Sequence, residues 1–318
     1  MSPFELAHGN LLSPVVLAFA FGILAARLRS DLDVPRGLMD AASLYLLLAI
    51  GLRGGVELAE ASLADLWLPA VAALSLGVAI PVVVFVAGRG PLRLDTDNAS
   101  SLAAHYGSVS VVTFTAAVTL LEARGVGVEG FMTTLLATLE VPGIVVALAL
   151  ARSSTRGEFG PALRETLTGK SVMLLFGGLA IGTLAGPDRF ERAAPVFVDA
   201  FYGVLVLFLL GLGLTVGRRI GDLRATGWRL ATFAVVAPII QGTLGTLLGA
   251  AAGLSTGGAT VLGVMAASAS YIAAPAAVRV ALPNASLALS LVPSLCITFP
   301  FNLLIGIPLF YSLARWIT

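Results

Sequence analysis

The amino-acid sequence predicts an all-α membrane protein with ten transmembrane helices arranged as two inverted five-helix repeats, in which the fourth and ninth helices are broken. Three observations lead there. Hydrophobic residues make up 58% of the 318 and charged residues 12%, with a mean hydropathy of +0.97, against the ~25% charged residues usual in soluble domains. Apolar runs of about 20 residues, enough to cross ~30 Å of hydrocarbon, follow one another with short connections. Landmarks of the first half recur in the second at a shift of 160 residues, the separation of Ser108 from Ser268.

The elements follow in order. The first run, 11–28, comes after Glu5 and His8 with no preceding basic residue, which reads as a span and not as a cleaved signal peptide. Runs at 38–58, 67–88, 98–121 and 130–151 complete a first repeat over 1–151. Segment 152–170, rich in Arg, Ser and Gly, is a cytoplasmic linker too short to be a domain. Runs at 171–186, 195–216, 229–252, 259–281 and 287–313 form the second repeat, 171–318. Gly22-Ile-Leu-Ala falls onto Gly182-Thr-Leu-Ala, Gly51-Leu52 onto Gly211-Leu212, and the Ser108/Ser110 pair onto Ser268/Ser270. Five spans per half is an odd number, so the second copy enters the membrane from the opposite side, the plan of secondary transporters.

Charge placement sets orientation. Arg27, Arg29 and Arg36, then Arg89 and Arg93, then Arg152, Arg156, Arg164 and Lys170, then Arg218, Arg219, Arg224 and Arg229 all lie on one side. The other side has only Arg124, Arg189, Arg192 and Arg315. The positive-inside rule puts both termini on the outer face of the inner (plasma) membrane. A net charge of +1 is no basis for nucleic-acid binding. Cys296 is the single cysteine, so no internal disulfide forms.

The chemistry concentrates in the fourth and ninth runs. Both place Ser-x-Ser, with Gly107 before the first pair and Pro275 after the second, where a lipid-facing helix would carry Leu. A broken helix frees backbone N–H and C=O groups at membrane depth, tolerable only where they face protein or a water-filled cavity. The N-terminus of the second half-helix aims N–H groups and roughly half a positive charge into the break, which suits a small anion. The candidate substrate residues are therefore Gly107, Ser108, Val109, Ser110, Ser268, Ala269, Ser270 and Tyr271; His105 flanks them. Hydroxyl and carbonyl oxygens of Ser110, Thr113 and Ser270 are alternatively suited to sodium, and the two uses are compatible. A plainer reading gives the serines to close helix packing, with hydroxyls bonded to their own helices.

An ionisable group inside a span costs at least ~2.5 kcal/mol and is normally paired or functional. Glu140 lies mid-span two residues before Pro142, and the matching stretch of the tenth run holds Thr298, Pro300 and Asn302. Glu140, Thr298 and Asn302 are the further candidate sodium ligands, against a structural hydrogen bond at a proline kink. Arg279 is placed to attract an anion or to snorkel, and Arg53 and Glu57 to pair four residues apart. There is no His-Glu-x-x-His helix and no complete Gly-x4-Gly-Lys-Ser/Thr phosphate-binding loop, since Gly169-Lys170-Ser171 has Arg164 where that loop has its first glycine, so neither an enzyme nor an organic cofactor is expected.

Gly107-Ser-Val-Ser110, Thr119-Leu-Leu-Glu122, Glu140-Val-Pro142, the run from Ala267 to Pro275 and Ile297-Thr-Phe-Pro-Phe-Asn302 together resemble the sodium-dependent bicarbonate transporter family of SbtA-type permeases. The resemblance covers essentially the whole chain. It implies a core domain moving against a gate domain, a homotrimer, sodium as coupling ion for bicarbonate uptake, and in cyanobacterial members a PII-like regulatory protein. The chain departs from cyanobacterial members in carrying Tyr271 where they have an aspartate, and in its shorter linker. Rival functions are a sodium symporter for another carboxylate anion, and, of another class, a passive anion channel or an anion sensor.

Overall fold

The computed structural model describes residues 12–151 and 159–318. Expectations resting on Glu5, His8, Arg152 and Arg156, and on the first part of the linker, lie outside the described residues. Helix α1 (Pro14–Arg27) begins where Ser13 caps it, its hydroxyl accepting the Val16 N–H with Pro14 at the first helical position. Helices α2 (Arg36–Glu60) and α3 (Leu63–Arg89) follow. The fourth apolar run becomes α4 (Thr96–Gly107) and α5 (Val111–Glu122), and α6 spans Met132–Leu150. After α7 (Phe159–Leu167) come α8 (Lys170–Phe190), a π turn at Pro195–Asp199, α9 (Phe201–Arg219) and α10 (Leu223–Ala251). The ninth run gives α11 (Thr256–Ala267) and α12 (Ala273–Ala281), and α13 covers Leu287–Ile317. Among the described residues there is no strand.

Counting α4 with α5 as one interrupted helix, 8 helices among the described residues are long and apolar enough to cross a membrane. Helix α1, with 14 residues, and α11, with 12, are shorter. Both interruptions fall at the Ser-x-Ser pairs. Helix α8 runs past the expected end at 186, but Gly186 there takes φ +68°, so the axis bends at that residue. Helix α13 carries π turns at Ser294–Thr298 and Asn302–Gly306 on either side of Pro300, whose ring and missing N–H break the i→i−4 ladder.

Two kinds of packing organise the helices. Helix α1 lies on α9 and α2 on α8, with glycines letting the backbones touch. A Cβ on Gly22 would come within 2.3 Å of the Leu210 carbonyl oxygen, and one on Gly182 within 2.1 Å of the Leu52 carbonyl oxygen. Such small-residue seams give membrane helices their close van der Waals contact. Elsewhere α3 and α6 pack on α4, α10 and α13 pack on α11, and α5 meets α11. Every residue of α4 from Ala99 to Gly107 is buried in consequence. The broken helices thus occupy the interior, where freed backbone groups meet protein.

The linker holds more structure than its composition suggests. Helix α7 packs on α12 and α6, burying Ala162 and Thr166 while Arg164 and Glu165 stay exposed.

Candidate functional site

The two breaks lie against each other at the centre of the fold. Helix α4 ends at Gly107, and Ser108 (φ −104°, ψ 162°) and Ser110 (φ −101°, ψ 110°) run extended before α5 begins. Helix α11 likewise ends at Ala267, and Ser268 is extended at φ −84°, ψ 168°. The Ser110 N–H donates to the Ser268 hydroxyl at 2.8 Å, and the Ser270 N–H donates to the His105 carbonyl at 2.7 Å. Each break therefore satisfies a backbone donor of the other, which the membrane interior requires.

The second serine of each pair binds the first turn of the half-helix behind it, Ser110 as the N-cap of α5 and Ser270 from two residues before Ile272, where α12 opens. The Ser110 hydroxyl accepts the Thr113 N–H at 3.2 Å, and the Ser270 hydroxyl accepts the Ala274 N–H at 3.2 Å. The first serines bond elsewhere: Ser108 donates to the Glu140 carbonyl at 3.0 Å and Ser268 to the Met265 carbonyl at 2.8 Å. All four serines are buried. The side chains read as ligands thus also build the crossing, so the packing and binding readings apply to the same atoms.

Around this crossing the structure gathers most of the expected residues. Asn302 donates its amide to the Ala267 carbonyl at 2.8 Å, closing the end of α11, while its Oδ1 is buried with no hydrogen-bond partner. The Tyr271 hydroxyl approaches Ser110 without a well-formed bond, and its ring packs edge-on against Phe299 at 5.7 Å. Thr113 is buried one turn into α5. Gly107 and Gly143 permit the closest approach: a Cβ on Gly143 would stand 1.8 Å from the Gly107 carbonyl oxygen.

Two expected sodium ligands are engaged differently. Thr298 donates its hydroxyl to the Ala234 carbonyl at 2.7 Å and meets the Tyr106 hydroxyl at 2.7 Å, facing α10 and α4. Glu140 offers its backbone carbonyl to Ser108, while its buried carboxyl approaches Ser171 at the start of α8 without a well-formed bond and its Oε2 has no partner. His105 turns Nδ1 to the Ser101 carbonyl at 2.8 Å, and its Nε2 is buried and unpartnered. Among the described residues no three His, Cys, Asp or Glu side chains gather as a metal cluster. The candidate ion ligands at this crossing are hydroxyl and carbonyl oxygens together with the Glu140 carboxyl.

A feature missed from sequence is a cavity of about 70 Å³ between α2 and the ends of α5 and α6, closed on one side by Phe197 and Phe201. Thr115, Thr119 and Thr133 line it together with Arg53, Glu57, Glu122 and Glu129. Arg53 pairs with Glu57 at 2.9 Å, as the spacing predicts, and also reaches Glu122 on α5. The signal in the sequence was Thr115, Thr119 and Glu122, which share one face of a helix at i, i+4 and i+7. Arg279 stands exposed on α12, away from the crossing of the serines.

The sequence pattern of the Na+-dependent bicarbonate transporter superfamily matches residues 14–315, nearly the whole chain. The chain belongs to that superfamily. No curated protein matches it in sequence.

Proposed function

We propose that this member of the Na+-dependent bicarbonate transporter superfamily carries bicarbonate into the cell by sodium-coupled symport, through alternating access. The observation that carries the reading is the crossing of two broken helices, each with a serine hydroxyl on a first-turn N–H of the half-helix that follows. Ser110 occupies two of the first-turn donors of α5, through its hydroxyl to Thr113 and its carbonyl to Phe114. The N–H groups of Val111 and Val112 remain as the donors for an anion, backed by the helix dipole. Gly107, Ser108, Val109 and Ser110 on one side and Ser268, Ala269, Ser270 and Tyr271 on the other form the substrate walls. Sodium, the driving cargo, is held by oxygens of Ser110, Thr113, Ser270 and Asn302 with the Glu140 carboxylate. Thr298 joins them only by releasing Tyr106.

Ten spans in two inverted repeats are part of the same proposal. In its support, α4 and α11 start at 96 and 256 and end at 107 and 267, one offset throughout. The glycine seams of α1 on α9 and α8 on α2 also exchange partners as inverted copies would. The seamed helices α1, α2, α8 and α9 are taken as the gate and the helices around the crossing as the core, with the Arg53 cavity between them. Termini on the outer face of the inner membrane rest on the distribution of arginines and lysine between the loops, and a homotrimer and contact with a PII-like regulator rest on the family resemblance.

Purified protein in proteoliposomes tests this. Labelled bicarbonate is expected to accumulate above empty vesicles under an inward sodium gradient and to fall to background when potassium replaces sodium. Equal uptake with either cation would overturn symport.

A further inference from the structure

A second cavity lies away from the crossing, between α3 and α10. This groove encloses about 680 Å³ along a shaft of Val83, Val84, Ala87, Phe233, Val236 and Ile240. Arg93, in the loop after α3, and Trp228 and Arg229, in the first turns of α10, line the same groove. From Arg229 to Ile240 the helix advances about 17 Å, close to half of the ~30 Å hydrocarbon thickness. The groove is one leaflet deep, apolar along most of its length apart from Thr232 and Gln241, and basic at one end.

We infer that this groove binds one anionic phospholipid, with an acyl chain along the shaft and the phosphate between Arg93 and Arg229. The shaft faces outward, since Val83 is 63% and Ile240 62% exposed. Trp228 is 75% exposed with the Arg229 guanidinium 5.6 Å from its ring centre, an aromatic and cationic pair of the kind that sits at headgroup level. Among the described residues the ion pairs join Arg53 to Glu57 and Glu122, Lys170 to Asp40 and Arg218 to Asp33. Arg93 and Arg229 take part in none of them, so both charges are open to a ligand. A phosphodiester answers two guanidiniums by charge and by hydrogen bonding, and basic pockets between membrane helices select anionic headgroups. A second copy seated here about a two-fold axis would set arginine against arginine.

The test titrates the full-length protein in detergent with phosphatidylglycerol or with phosphatidylcholine of the same chains and counts bound lipid by native mass spectrometry. One phosphatidylglycerol is expected to bind about thirtyfold more tightly than phosphatidylcholine, from two basic residues acting near the membrane surface. The Arg93→Gln/Arg229→Gln variant should bring the two lipids to near parity, and Arg93→Lys/Arg229→Lys should keep the preference, separating charge loss from misfolding. Val236→Trp, which fills the shaft, should weaken both lipids. Equal affinities in the wild type, an unchanged preference in the Gln variant, or unaltered lipid binding in Val236→Trp would each overturn the proposal. A subunit count that falls in the Val236→Trp variant while its lipid binding holds would assign the groove to a contact between copies instead.

Discussion

Ser110 donates its backbone N–H to the hydroxyl of Ser268, joining two breaks 158 residues apart in sequence at 2.8 Å. The same serine caps α5 with its own side chain, so one residue both fixes the crossing and orients a half-helix N-terminus. Its N–H acts toward the other break, and its hydroxyl and carbonyl act toward its own helix.

That division gives the first prediction. Ser110→Ala and Ser270→Ala each remove a capping hydroxyl but keep the backbone donor, so stability should fall by only about 1 kcal/mol. Bicarbonate affinity should fall roughly tenfold or more, because the first-turn N–H groups lose their fixed direction. Ser110→Thr, which retains a capping hydroxyl, should recover most of it. Uptake measured against bicarbonate concentration, beside thermal unfolding, separates the two effects. Unaltered affinity in both alanine variants would place the anion elsewhere.

Gly143 sets how closely α6 approaches the first break. A Cβ there would meet the Gly107 carbonyl oxygen at 1.8 Å and the Ser108 nitrogen at 2.9 Å, and both obstacles are backbone. Gly143→Ala should therefore displace the break, lower stability by about 1–3 kcal/mol and abolish uptake in protein that still inserts. Gly177→Ala, with nothing within 4 Å of the added carbon, serves as the control and should leave both readouts near wild type.

Asp95 governs the entry to α4 from outside the span. Its carboxylate caps the helix at the Asn98 N–H, 2.8 Å, and also accepts from the Asn98 side chain. Burial pushes the carboxyl up, but the Asn98 bonds outweigh it and hold it below its usual value. A lowered folded-state value means that the cap's contribution is present at neutral pH and lost as pH falls through the carboxylate range. Asp95→Asn should keep capping and flatten the acid limb of a melting-temperature profile. Asp95→Ala should cost about 1 kcal/mol at pH 7.

Much of this architecture was legible in the sequence because it is written in local pattern. Runs of apolar residues located the helices, and small hydroxyl residues in mid-run located both breaks, including their place at Ser108–Ser110 and Ser268–Ser270. What escaped depends on contacts between distant segments. Arg53 was legible as a partner of Glu57 four residues away, whereas Glu122 belongs to another helix and carries no spacing signal. The docking of α7 on α12 was hidden in a segment whose Arg, Ser and Gly content reads as a plain connection. Thr298 is a candidate ligand by its place beside Pro300 in sequence, and its engagement from the π turn with Ala234 and Tyr106 carries no spacing signal. No single-helix periodicity anticipates those contacts.

Glu140 is the residue on which the coupling proposal can be tested most sharply. Glu140 is 2% exposed, and its carboxyl approaches Ser171 while Oε2 has no partner. A buried acid with a vacant oxygen suits a cation-linked group, while the approach to Ser171 suits a structural tie between α6 and α8. Glu140→Gln preserves shape and polarity beside Ser171 but removes the ionisable group. A sodium-linked carboxylate predicts that half-saturating sodium rises roughly tenfold, since one nearby charge is worth on the order of 1 kcal/mol or more, while bicarbonate affinity at saturating sodium stays put. A structural tie predicts the reverse pattern in Glu140→Ala: lower thermal stability with an unshifted sodium dependence in Glu140→Gln. Uptake as a function of sodium, measured on both variants, decides between them, because only the charge distinguishes Gln from Glu at this position.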